Sequence, residues 1–333
     1  MSFEKIFTHG VLVDVNISIW SARTQLQAED LGIQSEHVPE SFSLGHMKLI
    51  PSEVMSELNH FDYMIRALLK KHSFPFEFGE ARFVPKKVFP TFSDEFDTIN
   101  QEFQKKIDEF VASYPRYKLQ MRQEFTKAAN QAYERLLTLC GFDKPRDEFV
   151  NEFLERVEAL YPSEEKIRSK FSAEYVVFQV SLPDLSQATY ETVAADNEKM
   201  ALMQKAYEKA LYKRVQSFVD NVVNEQRSNA VKVMSHVAEN MKKGKRFTTA
   251  TLNSLRKMVT EYERMDVLDD ADMLKRLRDL KERVLDHITA KQVAESAKLS
   301  ANLRKELEAL VVLANDREAI AALAENYRQR IQL

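Results

Sequence analysis

The chain has 333 residues, 44% apolar, 30% charged and 10% aromatic, which is enough apolar content to bury a core and too much for a disordered chain. A single cysteine excludes an internal disulfide framework and any multi-cysteine zinc site. A formal charge of −3 runs against the basic excess of a general nucleic-acid binder.

Met1 is followed by Ser2, Phe3, Glu4 and Lys5 rather than by a basic stretch and an apolar core, so no secretory signal is expected. No run of about 18 apolar residues predicts a transmembrane helix. Val11, Val13, Val15, Ile17 and Ile19 alternate with Leu12, Asp14, Asn16 and Ser18, the period of a strand with one strongly apolar face. A short helix is expected over Ser21–Leu31. Gly32, Pro39 and Gly45 make 32–50 a loop.

Pro51 suits the first turn of a helix running to about Lys71, with Leu58, Phe61, Ile65, Leu68 and Leu69 on one face. Residues 73–92 contain Pro75, Gly79, Pro85 and Pro90, which break the helical pattern, and short strands around Phe76 and Phe78 and around Phe83 and Val84 predict a hairpin about Gly79. Ser93 reads as the N-cap of a helix carrying Phe96, Ile99, Phe103, Ile107, Phe110 and Tyr114. Pro115 marks a break or a kink. A second helix then reaches Cys140, and a third spans Pro145 to Tyr161. Ala173–Leu182, rich in Val and aromatic residues, reads as a strand.

All nine prolines lie by Pro183 and five of the six glycines by Gly141. Proline breaks helix interiors and glycine commonly ends helices, so the 150 residues after Pro183, with only Gly244 among them, are expected to be nearly all helix. They hold 26 Lys/Arg against 23 Asp/Glu, or +3, leaving 22 against 28, or −6, in residues 1–183. A helix over about 188–243 carries the stripe Leu211, Val215, Phe218, Val222, Val233 and Val237, interrupted by Gln226. Further helices are expected at about 249–266, 270–288, 290–314 and 316–332.

The predicted fold is mainly α: an elongated helical bundle or coiled coil with a small β-containing head. Residues 1–92 form the head region and 93–172 a helical stem. Residues 173–187 form a strand returning to the head, and 188–333 the long helix and C-terminal bundle.

Several segments carry a family resemblance. They are Val13–Asp14–Val15 leading to Ile19–Trp20, Ala28–Glu29–Asp30–Leu31–Gly32, the proline- and phenylalanine-rich stretch Phe74 to Phe92 before a long helix, and the strand around Phe178. Together they resemble an uncharacterised family of phages and integrative elements, domain of unknown function 3150. The resemblance supplies no catalytic motif. It implies a partner system, because such proteins are often encoded beside a MoxR- or CobS-like AAA+ ATPase and a von Willebrand A (CobT-like) protein. The expected role is a non-enzymatic scaffold or adaptor, homo-oligomeric, in the cytoplasm of a bacterial host. A phage structural, self-assembling protein and an α-helical pore-former are the alternatives.

The residues offer few chemical motifs. Gly244–Lys245 lacks the glycine and the Ser/Thr of a phosphate loop, the positions being Glu239 and Arg246, and reads as a helix C-terminus. Lys242, Lys243, Lys245 and Arg246 form a candidate basic contact beside Phe247. One Glu-x-x-His, Glu57 to His60, falls short of a di-metal site. Asp266, Asp269, Asp270 and Asp272 lack the order and glycine of a calcium loop and suit the start of a helix. Cys140 reads as a small buried apolar residue. No cofactor, metal, membrane or nucleic-acid partner is expected. Phe74, Phe76, Phe78, Phe83, Phe89, Phe92 and Phe96 put seven rings in 23 residues. Such a cluster is either an aromatic core or an exposed surface that docks a protein partner.

Overall fold

A computed structural model describes residues 3–26, 45–76, 79–140, 143–179 and 194–330. Ala28–Gly32, Phe78, the end of the expected strand at 180–182 and the start of the expected long helix at 188–193 lie outside the described residues, as do the side chains of Cys140 and Leu211. The fold is mainly α, with ten α-helices and small sheets among the described residues.

Strand β1 (Gly10–Ser18) follows a short 3-10 helix, Phe3–Thr8. It pairs antiparallel with β5 (Arg82–Pro85), Leu12 opposite Phe83, and β5 in turn pairs with β4, which lies at Phe74–Pro75 and not at the expected Phe76. Strand β6 (Ser172–Phe178) completes the order β4-β5-β1-β6. Because β1 is internal to the sheet, Leu12 is fully buried as well as Val13 and Val15, so its apolar character is not confined to one face. Gly10 is dictated by close approach. A Cβ there would lie 2.4 Å from the Phe83 ring and 2.5 Å from the Val84 carbonyl.

The chain divides into two compact units, one formed by 1–14, 69–93 and 176–333, the other by 15–68 and 94–175. In the second unit, α1 (Ser52–Lys71) supplies Met55 and Leu58 to a cluster with Phe103, Ile107, Phe110 and Tyr114 of α2 (Phe89–Cys140). Farther along α2, Met121, Phe125 and Ala129 pack with Phe149, Phe153 and Val157 of α3 (Arg146–Ala159). Two buried tyrosine hydroxyls fasten loops: Tyr114 donates to the Pro162 carbonyl at 2.9 Å and Tyr161 to the Leu49 carbonyl at 2.7 Å. Burial pushes the Tyr114 phenol up to about 12. A single helical turn, α4 (Glu164–Ile167), precedes β6.

The first unit is dominated by α5 (Ala194–Lys242), followed by α6 (Thr249–Met265), α7 (Ala271–Leu280), α8 (Ala290–Glu295), α9 (Ala297–Ala314) and α10 (Arg317–Arg330). Val215, Phe218, Val219, Val222 and Val223 of α5 join Leu12, Phe74, Phe76, Phe83 and Tyr327 in one apolar cluster. Ala230, Met234, Val237 and Ala238 join α6, α7 and α9 in another. Phe218 sits edge-on to both Phe76 and Phe83, with ring centroids 4.8 and 5.1 Å away.

Five expectations are corrected. No helix forms at Ser21: Arg23–Gln25 is a strand (β2) paired with His46–Lys48 (β3), inside the expected loop. Ala22, at φ 49°, bends the chain into that pairing, and its carbonyl accepts from Leu49 N at 2.8 Å. Helix α2 begins at Phe89 rather than Ser93, because Pro90 needs no partner for its missing N–H in a first turn. The same helix continues through Pro115. That proline removes a backbone bond and crowds the preceding turn, together costing about 3 kcal/mol of helix stability, and Phe110, Tyr114, Met121 and Phe125, buried on either side, hold the helix across it. The helix expected over 290–314 is two, divided at Ser296, whose hydroxyl caps α9 by accepting from Leu299 N. The helix expected over 270–288 ends at Leu280 and relaxes into a π-turn over Lys281–Leu285.

The aromatic segment is core. Phe74, Phe76, Phe83, Phe92 and Phe96 are buried and Phe89 is half-buried, so the first four are not the exposed docking surface that the sequence allowed. Phe218→Ala is expected to lower stability by about 3–5 kcal/mol, the range for emptying a buried aromatic site, and Phe218→Asp to prevent folding of the first unit. Glu225→Ala, at a half-buried position outside the aromatic cluster, is expected to change the urea midpoint far less. Equal midpoints for the Phe218 and Glu225 variants would remove Phe218 from the core.

Candidate functional site

The sequence-selected basic residues gather at the corner between α5 and α6. Lys242 is the last residue of α5, and Gly244 takes the left-handed conformation at φ 69°. The Lys245 amide reaches back to the Asn240 carbonyl at 3.0 Å and the Gly244 amide to Met241 at 3.1 Å, the bonding of a glycine-terminated helix. The helix-end reading therefore holds. Lys242, Lys243, Lys245 and Arg246 are all exposed. Lys243 is matched by Glu239 at 3.5 Å. Among the described residues, Lys242, Lys245 and Arg246 have no acidic partner.

Beside this corner lies an open groove of about 930 Å³. Lys245 and Arg246 line one side and Lys291 and Glu295 of α8 the other, with Phe247, Val293, Ala294 and Ala297 among the residues between them. Phe247 and Val293 are buried, whereas Ala294 and Ala297 are exposed. Thr248 and Ser296 cap α6 and α9, each accepting one first-turn amide, from Thr251 and Leu299. The groove is thus bordered by the positive ends of α6 and α9 and by the negative end of α5, whose dipole Lys242 in its last turn and Lys243 just after it offset, as well as by the cations Lys245, Arg246 and Lys291.

The second concentration of polar chemistry is buried. Arg227, 4% exposed, donates from Nε and Nη2 to the two oxygens of Asp270, each at 2.8 Å. The same carboxylate accepts from the Tyr262 hydroxyl at 2.7 Å. Gln226 donates to Asp266 at 3.2 Å, and Asp266 also accepts from the backbone of Leu268 and Asp270. Burial draws the Arg227 pKa down, but the bonds to Asp270 outweigh it and leave the guanidinium above its usual range. Burial and the neighbouring Asp270 charge raise the Tyr262 phenol. Burial also raises the Asp266 carboxyl, against the hydrogen bonds it accepts.

Asp270 and Asp272 do start α7, whereas Asp266 closes α6, and Asp270 makes no side-chain cap, its oxygens being engaged by Arg227 and Tyr262. Asp269 adopts a left-handed φ of 55° and binds Arg330. Gln226 meets Asp266 inside the same unit. Arg227 was missed in the sequence, although it lies four residues after Val223 and three before Ala230, on the buried face of α5. Elsewhere, Glu57 pairs with Lys106 at 2.6 Å and His60 stacks on the exposed Tyr63, so this Glu-x-x-His pair is a surface feature. Among the described residues, no cluster of three metal-ligating side chains occurs, and no helix is long and apolar enough to cross a membrane.

A family model described as "Protein of unknown function (DUF3150)" matches residues 8–315. The chain belongs to this family. In this DUF3150 protein, the match takes in both units, the buried network and the basic groove. No curated protein and no solved structure matches the chain.

Removing one partner of a buried ion pair strands the other, at a cost of about 3–5 kcal/mol; Asp270→Asn is expected to lower stability by that order, read from urea unfolding. Asp266 has the opposite sign. Its folded pKa is raised, so its favourable contribution is complete below the ordinary carboxylate range and is lost as pH rises through the folded value. Asp266→Asn is therefore expected to match or exceed the native urea midpoint at pH 7 and to flatten its pH dependence over that window. A loss of stability as large as that of Asp270→Asn would show that Asp266 works as an anion.

Proposed function

We propose that this DUF3150 protein is a non-enzymatic scaffold or adaptor subunit that works with an AAA+ ATPase and a von Willebrand A partner of a phage or mobile element in a bacterial cytoplasm. The observation that supports this reading is the length of two helices. α2 has 52 residues and α5 has 49. At 1.5 Å per residue they extend roughly 78 and 74 Å, more than twice the diameter of a small domain. A chain that invests in such helices creates side-chain surface along their length beyond what a local core requires. Leu119 and Leu137 of α2 are both exposed, and their spacing of 18 residues is five helical turns, which puts them on one face. That face suits a partner helix. The identity of the proposed partners rests on the family resemblance of the sequence.

Co-expression of the tagged full chain with an AAA+ ATPase and a von Willebrand A protein found encoded near it tests the proposal. The expected result is a complex that survives size-exclusion chromatography in fixed stoichiometry. Elution of the chain without either partner, at micromolar concentration and with nucleotide present, would overturn it.

A further inference from the structure

We propose that the groove between the α5–α6 corner and the α8–α9 junction is a docking site for an acidic, partly apolar peptide segment of a protein partner. The charge on its walls is unbalanced. Lys245, Arg246 and Lys291 face it against Glu295 alone, and Glu295 already lies 3.8 Å from Lys291. Lys245 and Arg246 have no acidic partner among the described residues. The first residues of α6 and α9, Thr249 and Ala297, also line the groove. Their helices have 17 and 18 residues, and Thr248 and Ser296 each satisfy one first-turn amide. The remaining first-turn amides add positive potential where the side-chain cations already supply it. An occupant bearing carboxylates complements both.

The floor sets the second half of the chemistry. Phe247 and Val293, both buried, and Ala290, Ala294 and Ala297 supply its apolar part. A lone inorganic anion would engage the rim and leave this floor in water. A peptide with alternating acidic and apolar side chains covers both. Nucleic acid is the poorer match, since it asks for a run of cations along several phosphates and for aromatic platforms on which bases stack. Phe247, the aromatic residue of the lining, is only 6% exposed. A volume of about 930 Å³ is at the upper end of ligand-sized sites and accommodates a few residues of extended chain.

The full-length protein is titrated into a fluorescein-labelled peptide of glutamate and leucine residues, with anisotropy as the readout. Saturable binding is expected. Lys245→Glu/Arg246→Glu is expected to weaken it on the order of tenfold or more, as loss of paired charges at an interface does, with an unchanged melting temperature because both side chains are exposed. Lys232→Glu, on an exposed part of α5 outside the groove lining, is expected to bind as the native protein does. Absence of saturable binding would overturn the proposal, as would equal affinity for a glutamine–leucine peptide, affinity unmoved by the double variant, or stronger binding of a single-stranded oligonucleotide of the same charge. The inference goes beyond the identity of the partners. Retention of the ATPase complex by a double variant that no longer binds peptide would overturn neither reading, whereas loss of the complex by a chain that still binds peptide would overturn only the ATPase reading.

Discussion

The bidentate contact between Arg227 and Asp270 is the constraint around which the larger unit is organised. Arg227 stands on α5 between two apolar runs, Val215–Val223 on one side and Ala230–Ala238 on the other, which belong to different clusters. Its guanidinium reaches the start of α7 through Asp270 and the end of α9 through the Leu313 carbonyl. Tyr262 brings α6 to the same carboxylate, and Gln226 brings the α6–α7 loop to its neighbour. Apolar contacts tolerate small slides of one helix along another, whereas a buried ion pair tolerates none, since displacement leaves charge without a partner in a medium of low polarity. The pair therefore fixes the register of α5 against three later elements.

Much of this was legible in the sequence, for identifiable reasons. The near absence of proline and glycine after Pro183 told correctly of helix, because that signal is local. The alternation near Val11–Ile17 told of a strand for the same reason, and the pattern about Gly79 told of a hairpin whose first strand, Phe74–Pro75, precedes the expected Phe76. What stayed hidden depends on residues far apart in sequence. Arg23–Gln25 becomes a strand only because His46–Lys48 pairs with it. Pro115 fails to end its helix because aromatic residues on both sides are anchored by other elements. Asp270 read as an ordinary helix start because its partner lies 43 residues earlier. Phe76 and Phe83 could not be assigned to core or surface until Phe218, on a helix more than a hundred residues later, supplied the covering ring.

Two charged clusters of similar appearance in the sequence have opposite fates. The aspartates at 266–270 are drawn inward or tied down, Asp266 and Asp270 by burial and Asp269 by Arg330. The lysines and arginine at 242–246 follow a helix end that already satisfies its own backbone, so nothing internal requires their side chains. The buried charge is paired within the fold, and the charge at Lys242, Lys245 and Arg246 is left without an acidic partner among the described residues.

The division of the chain has a consequence for inheritance. It passes from one unit to the other at 14/15, 68/69, 93/94 and 175/176. Each passage falls inside a regular element, in β1, α1, α2 and β6 respectively, and none falls in a linker. Neither unit is a contiguous stretch of gene. A single recombination event cannot transplant one of them into another protein, and a duplication cannot copy one without fragments of the other. Any exchange of gene segments that moves one unit whole must therefore carry parts of the other with it.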